Sequence, residues 1–394
     1  MRTSAAEIRG ALERDELVFD YQPKVSFLSG RASGAEALIR WRRDDGSVTL
    51  PEAFIHVAER EGLIPAITEA MFPRLIEDFR RVRAAGHDVT VALNVTAQDL
   101  DTPRLLELVR AAIGRGAIRG EHLELEITES AVVSGSDTTR ASLAALTEAG
   151  VPLAMDDYGT GFSSLATLNR LPFSAIKMDQ SFVLRMLRSP KSANLVKASV
   201  AMAQMMGVKT VIEGIESEGV YHSLLHCGCS EGQGYWISPP LAPDAYLSFL
   251  AADRRWPASP VGMLRMARLS HTWQQSLLLD EVFAFLRSRD QAELDLEGLH
   301  TAHTACTLGR WYYGLGRSFA GDPDFEALEA PHRRMHEACA EVFVSLRATP
   351  DHRALRPLLE DLAADSTRVA ECLQRLETRL LIEELDAPGP AARR

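Results

Sequence analysis

Residues 89–128 read VTVALNVTAQDLDTPRLLELVRAAIGRGAIRGEHLELEIT. An apolar run (VTVALNV, 89–95) leads into an amphipathic segment (101–116) that closes on glycine, and a second apolar run (HLELEIT, 122–128) follows. Two β-type runs joined by a glycine-capped helix of this length form a crossover, and crossovers join parallel strands. The alternation extends both ways. Upstream lie ELVFDYQPKV (16–25) and GAEALIRW (34–41); downstream come VPLAMDD (151–157), AIKMD (175–179), KTVIEGI (209–215) and GYWIS (234–238). Amphipathic segments such as 68–86 and 191–207, each closed by glycine, fall between them. Eight strand-like runs over about 250 residues predict a TIM-like (β/α)8 barrel. The first two runs are joined only by FLSGRASG (27–34), too short for a crossover helix, so the first strand is expected to be antiparallel.

The pattern changes at AADRRWPASPVG, which carries charge, two prolines and a glycine. The expected organisation is a barrel over 1–250, a linker over 251–262, an all-α helical bundle over 263–385 and a fraying polar tail over 386–394. The bundle would be built from helical runs at 263–288, 300–316, 325–346 and 353–385.

Composition narrows the function. The chain of 394 residues carries a net charge of −11, so no global basic field exists to hold nucleic acid. Five cysteines are an odd number and give no disulfide framework. No stretch reaches membrane-span length, and the first residues carry acids where a signal peptide needs an apolar core. A cytoplasmic protein without a membrane segment is the expectation.

Returning the polar residues to the strands reveals a pattern. Glu36, Asn94, Glu126, Asp156, Asp157 and Glu213 stand in or at the ends of successive strands, with Lys177 and Gln233 among them. Barrel active sites gather at the C-terminal ends of strands, so these residues converge on one mouth. Singly, an acid near a strand end is ordinarily a solvated loop residue or a helix cap. Together, the oxygen donors suit a hard cation, Mg²⁺ or Mn²⁺, and adjacent Asp156 and Asp157 can bridge two ions as phosphoester hydrolysis requires.

The segments GAEALIRW, LNVT, LEITES, DDYGTGFSSL, IKMDQSFV, VIEGIES and GQGYWISPP occur in the order of the motifs of EAL-domain cyclic-di-GMP phosphodiesterases, which residues 1–250 resemble. The resemblance implies hydrolysis of cyclic di-GMP to linear pGpG. Glu36, Asn94, Glu126 and Asp156 resemble the ligands of a first metal ion, and Asp156, Asp157 and Glu213 those of a second. Lys177 matches a position that holds or polarises the attacking water, and either it or Glu213 acts as general base. Glu129 matches a glutamate that anchors the loop DDYGTGFSSL. Gln22 and Arg40 match substrate-contacting positions, and Gln233 one that orients the site. Two departures, Pro239 where Lys or Arg is frequent and Tyr158 where Phe is common, remove no ligand. A catalytically inactive cyclic-di-GMP receptor is the competing reading, although such receptors usually lose metal-binding acids. A homodimer is expected by analogy with the family.

In the helical region, His332 and His336 are four apart and share one helix face. With Cys306 and His271 from two other segments they would give a closed tetrahedral zinc site of three imidazoles and one thiolate. Spacing alone does not separate this from ordinary core histidines. HTACTLGRWYYG followed by LEAPHRRMH is similar to the chemoreceptor zinc-binding (CZB) domain, which implies one regulatory Zn²⁺ at His271, Cys306, His332 and His336. A zinc thiolate responds both to metal loss and to oxidation, so Cys306 is the expected sensing atom. Trp311, Tyr312 and Tyr313 read as bundle packing.

Overall fold

The computed structural model describes residues 3–43, 45–133, 135–158, 171–287, 303–348 and 352–386. They divide mainly at Ser259/Pro260 into two compact units. The strands of the first unit are β1 (Leu17–Ser26), β2 (Ala32–Arg42), β3 (Val48–Thr49), β4 (Thr90–Val95), β5 (Leu123–Thr128), β6 (Leu153–Tyr158), β7 (Ala175–Met178), β8 (Lys209–Ile212) and β9 (Glu231–Gly232). They run in the order β1-β9-β8-β7-β6-β5-β4-β2-β3, and β1 also pairs with β2. Eight strands therefore close into a barrel, and β3 hangs from the free side of β2. β1 is antiparallel to both β2 and β9, whereas β2 and β4 to β9 pair in parallel.

Parallel strands with helices outside are covered on both faces, and their residues are accordingly apolar in succession. Val91, Ala92, Leu93 and Val95 of β4 are all buried. The helix Arg104–Gly114 buries Leu105, Val109 and Ala112, the 3–4 spacing of a one-sided stripe. It stops at Gly116, where φ is 67° and the N–H groups of Gly116 and Ala117 turn back onto Ile113 and Ala112. Only glycine takes that left-handed turn without a Cβ penalty.

Two expectations change. The eighth barrel strand is Glu231–Gly232, not GYWIS. Beyond it the chain is drawn against Ile215, so closely that a Cβ on Gly234 would lie 2.2 Å from the Ile215 nitrogen. The chain then turns, with the N–H groups of Ile237 and Ser238 both donating to Gly234 O at 3.0 Å, so GYWIS is a turn and not a ladder strand. The segment read as a linker is docked on the barrel as far as Ser259: Trp256 N–H donates to Gly30 O at 2.9 Å and Ser259 N–H to Phe27 O at 3.0 Å.

The second unit is helical, with helices Val261–Arg287, Thr307–Tyr313, Glu329–Ala348 and His352–Asp386. Its core holds Leu264, Leu308, Trp311, Tyr312, Phe325, Val369 and Leu373, with Tyr313 packed against it. Among the described residues, no helix is long and apolar enough to cross a membrane.

Candidate metal centres

The strand register builds the barrel site. Glu36 in β2 pairs with Gln22 in β1, Asn94 in β4 with Glu126 in β5, and Thr128 in β5 with Asp156 in β6. Lys177 in β7, 1% exposed, stands at the focus. Its Nζ lies 2.6 Å from Glu126 Oε2, 2.8 Å from Glu213 Oε1, and 3.3 Å from both Glu36 Oε2 and Asp156 Oδ1. Asn94 donates to Glu36 Oε1 at 2.7 Å. Gln233 donates to Glu36 Oε2 at 2.7 Å and to Glu213 Oε1 at 3.2 Å.

Neighbouring residues of a regular strand face opposite ways. Asp156 and Asp157 escape this because the pairing of β6 with β7 shifts register between Met155 and Tyr158, and Asp157 takes φ 58°. Asp156 consequently reaches Lys177 while Asp157 lines the adjoining cleft, a volume of about 830 Å³. Its wall joins Asn94, Glu126 and Asp157 to the apolar side chains of Ile39, Ile64 and Met71, so polar anchors and apolar surface share the cleft.

Electrostatically the cluster holds too many acids for its cations. Burial pushes Glu126 up to about 8, reinforced by Glu36 and opposed by Lys177 and Lys24. Burial likewise lifts Glu213 to about 7 against the pull of Lys177. Glu36 goes the other way, to about 2, because Lys177 and Lys24 outweigh its burial. The carboxylates hold Lys177 well above its usual value despite its burial. Buried hard oxygen donors around one point, sharing protons near neutrality, are the chemistry a divalent cation fits: it supplies the missing positive charge and displaces protons.

The remaining predicted residues sit nearby. Arg40, at the mouth end of β2, pairs with Asp20 at 3.5 Å and donates to Ile39 O at 3.0 Å. Gln22 is buried across from Glu36. Glu129 opens the helix Glu129–Val133 directly after β5. Most of the loop it was expected to anchor, from residue 159 on, lies outside the described residues. The sequence reading missed Lys24 and Glu124. Lys24 Nζ lies 2.7 Å from Glu126 Oε1 and 2.9 Å from Glu124 Oε1. The i, i+2 spacing of Lys24 to Gln22, and of Glu124 to Glu126, was the signal, since it puts each pair on one strand face.

In the helical unit the structure gathers Cys306, His332 and His336, whose candidate ligand atoms all lie within 4.8 Å of one another. Cys306 Sγ is 3.2 Å from His332 Nε2 and accepts from Gly309 N–H at 3.2 Å. That last contact requires glycine: a Cβ at 309 would fall 1.8 Å from the His303 carbonyl oxygen. His271 is buried but stands outside the trio, its Nε2 3.1 Å from Ser366 Oγ. Burial lowers His271 to about 4 and His332 to about 3, so both imidazoles are neutral and able to ligate at neutral pH. Burial also raises the Cys306 thiol above its usual value, so without a metal it keeps its proton and is a poor nucleophile. One soft sulfur with neutral imidazoles fits Zn²⁺.

Known proteins share both halves. The EAL domain family matches residues 5–240, and the chemoreceptor zinc-binding domain family matches residues 276–343. The cyclic di-GMP phosphodiesterase NbdA of Pseudomonas aeruginosa is 38% identical over 262 residues, which cover 66% of this chain and 34% of that protein. The cyclic di-GMP phosphodiesterase RocR of the same organism is 33% identical over 250 residues, 64% of either chain. The solved complex of the PaMucR phosphodiesterase with c-di-GMP superposes with a TM-score of 0.57 at 35% identity, covering 61% of this chain and 98% of that one. The chain spans about a third of the length of several curated relatives it matches, NbdA among them.

Proposed function

This chain belongs to the EAL-domain family, and on that premise we propose that it hydrolyses one 3′–5′ phosphodiester of cyclic di-GMP, adding water to give linear pGpG, under the control of zinc bound in its helical unit. The observation that carries the reading is the convergence of Glu36, Glu126, Asp156 and Glu213 within 3.3 Å of one buried point, the Lys177 ammonium.

Glu36, Asn94, Glu126 and Asp156 would hold one Mg²⁺ or Mn²⁺, and Asp156, Asp157 and Glu213 a second. Bound divalent ions neutralise charge on the scissile phosphate and acidify water. Lys177 and Glu213, 2.8 Å apart, handle the proton: Lys177 offers a cation that orients the water, and the Glu213 carboxylate beside it is placed to accept the proton. Gln233 fixes Glu36 and Glu213 relative to each other. Arg40 and Gln22 contact the nucleotide near the mouth, and the apolar wall of the cleft takes a guanine face.

In the helical unit, Cys306, His332, His336 and His271 would hold one Zn²⁺; His271 can ligate through Nδ1 while Nε2 keeps its bond to Ser366. His271 lies on the helix Val261–Arg287, whose first residues follow covalently from the barrel-docked segment ending at Ser259, and that continuity is the proposed route from zinc to turnover. Incubating the full chain with cyclic di-GMP and Mn²⁺, with zinc present and stripped, tests both halves. Formation of pGpG at a zinc-dependent rate is expected. Binding without product would leave a receptor, and equal rates would remove the zinc link alone.

A further inference from the structure

Lys24 is 1% exposed, inside the barrel, and plays no part in the chemistry outlined above. Taking an ammonium out of water is costly, and barrel interiors are ordinarily filled by branched apolar side chains. An unbranched apolar residue such as Met would fill the same space, so packing does not explain a charge here. The position is also shaped. Lys24 pairs with Gly34, and the register then skips Ser33 of β2 before Val25 pairs with Ala32, so the extra residue lies in the strand opposite Lys24. At Gly34 the neighbouring strand comes so close that a Cβ would lie 2.4 Å from Thr90 Oγ1.

The ammonium divides Glu126 with Lys177. Lys24 takes Oε1 at 2.7 Å and Lys177 takes Oε2 at 2.6 Å, so each carboxylate oxygen has its own cation, one from β1 and one from β7. The second partner of Lys24, Glu124 at 2.9 Å, precedes Glu126 by one pleat and lies farther from the mouth. It anchors Lys24 from the side away from the site.

We propose that Lys24 is a positioning residue of the barrel's metal centre: it fixes Glu126 through Oε1, so that Oε2 is presented toward Asp156 and Glu36 in the orientation a divalent cation needs. Residues that orient metal ligands commonly change metal affinity by about 10–100-fold when removed. The inference rests on the reading of Glu126 as a metal ligand.

The test is Mn²⁺ titration of the full chain by electron paramagnetic resonance, without nucleotide, alongside kcat and KM for cyclic di-GMP as functions of Mn²⁺. Lys24→Met should raise the Mn²⁺ concentration for half occupancy by about 10–100-fold, leaving KM for cyclic di-GMP at saturating Mn²⁺ within about twofold. Lys24→Arg should recover most of the affinity, because a guanidinium still donates to the carboxylate. Glu124→Gln, which weakens the anchor but keeps the clamp, should stay within about threefold of wild type. Should Lys24→Met fail to fold, Lys24→Met/Glu124→Gln removes one charge of each sign and must show the same loss. A folded variant of either kind with wild-type Mn²⁺ affinity overturns the proposal, as does a lowered Tm with unchanged Mn²⁺ affinity. If wild-type protein neither binds Mn²⁺ nor forms pGpG, the metal-centre reading itself fails, a result distinct from any difference among variants.

Discussion

The two candidate metal centres are built on opposite plans. In the barrel, the donors are hard oxygens at the ends of strands whose backbone pairing is fixed residue by residue, from Gln22↔Glu36 to Thr128↔Asp156. In the helical unit, the candidate donors are the Cys306 sulfur, at the N-cap of the helix Thr307–Tyr313, and imidazoles on other helices, with no shared backbone ladder to fix them. The barrel site is an excess of charge held in place by the sheet. The helical site is almost neutral, and the proposed fourth donor, His271, stands outside the trio with Nε2 on Ser366. A site held by hydrogen-bonded strands exists before its cation arrives. A site between helices gains packing from its metal, so occupancy and structure are linked there. The first plan suits catalysis and the second suits sensing.

The sharpest break in the comparison is Asp156→Asn. Product formation at saturating Mn²⁺ should fall by more than about 100-fold, beyond the usual cost of losing a residue that merely orients a ligand. Zinc content should remain that of wild type. Chromatography of the nucleotides and elemental analysis of the same preparation read both. Next in size is the reverse experiment: Cys306→Ser should reduce zinc by about tenfold or more, because it removes the one donor that ligates as an anion. Turnover of that variant should become insensitive to added or stripped zinc while still requiring Mn²⁺. Retained zinc would overturn the ligand set.

Replacing Mg²⁺ by Ca²⁺ should cut turnover by about tenfold or more without touching the helical unit. Ca²⁺ takes longer bonds, about 2.3–2.6 Å against 2.0–2.1 Å, and looser geometry. Steady-state rates at matched occupancy decide it.

The smallest effect is a difference in pH slope. In metal-free protein, Glu126 and Glu213 are raised to about 8 and 7, so the folded barrel binds more protons than the unfolded chain and loses stability as pH rises through that window. His122, lowered first by burial and then by Arg83 and Arg119, offsets part of this. In the helical unit, His271 and His332 lie below the unfolded value, so the unfolded chain binds the protons and stability falls as pH drops from about 6.5. Between pH 5.5 and 7.5 the two units should drift in opposite directions, by on the order of 1 kcal/mol per pH unit for each proton. Hydrogen exchange, corrected for intrinsic rates, at β5 and at the helix Glu329–Ala348 reads them separately. Slopes of the same sign would sink the contrast.

The barrel was legible because period and punctuation agree: short apolar runs, glycine-closed helices, and one connection too brief for a crossover. The carboxylates were legible for the same reason, since an acid inside an apolar run is conspicuous. What escaped were features set by partners rather than by neighbours in sequence. GYWIS has strand composition, but Ile237 and Ser238 donate back to Gly234 O and close a turn instead of a ladder. AADRRWPAS has linker composition, yet Trp256 and Ser259 find hydrogen bonds on the turn between β1 and β2. Lys24 sits in YQPKV like any surface lysine, and only the closed barrel shows that it faces Glu124 and Glu126. His271 falls in the right helix, but its nearest donor is a serine from a helix nearly a hundred residues on, which helical periodicity does not reveal.

The antiparallel β1 has a consequence for synthesis. It forms a hairpin with β2 as soon as both emerge, yet its other edge waits for Val25 to meet Gly232 and Tyr21 to meet Leu241, almost the whole unit later. At roughly 5–20 residues per second, that edge stands bare for on the order of ten seconds or more on the ribosome. Bare edges recruit foreign strands. Nascent chains truncated before Leu241 should therefore be the aggregation-prone species, and chaperone demand should fall once Leu241 has paired with Tyr21.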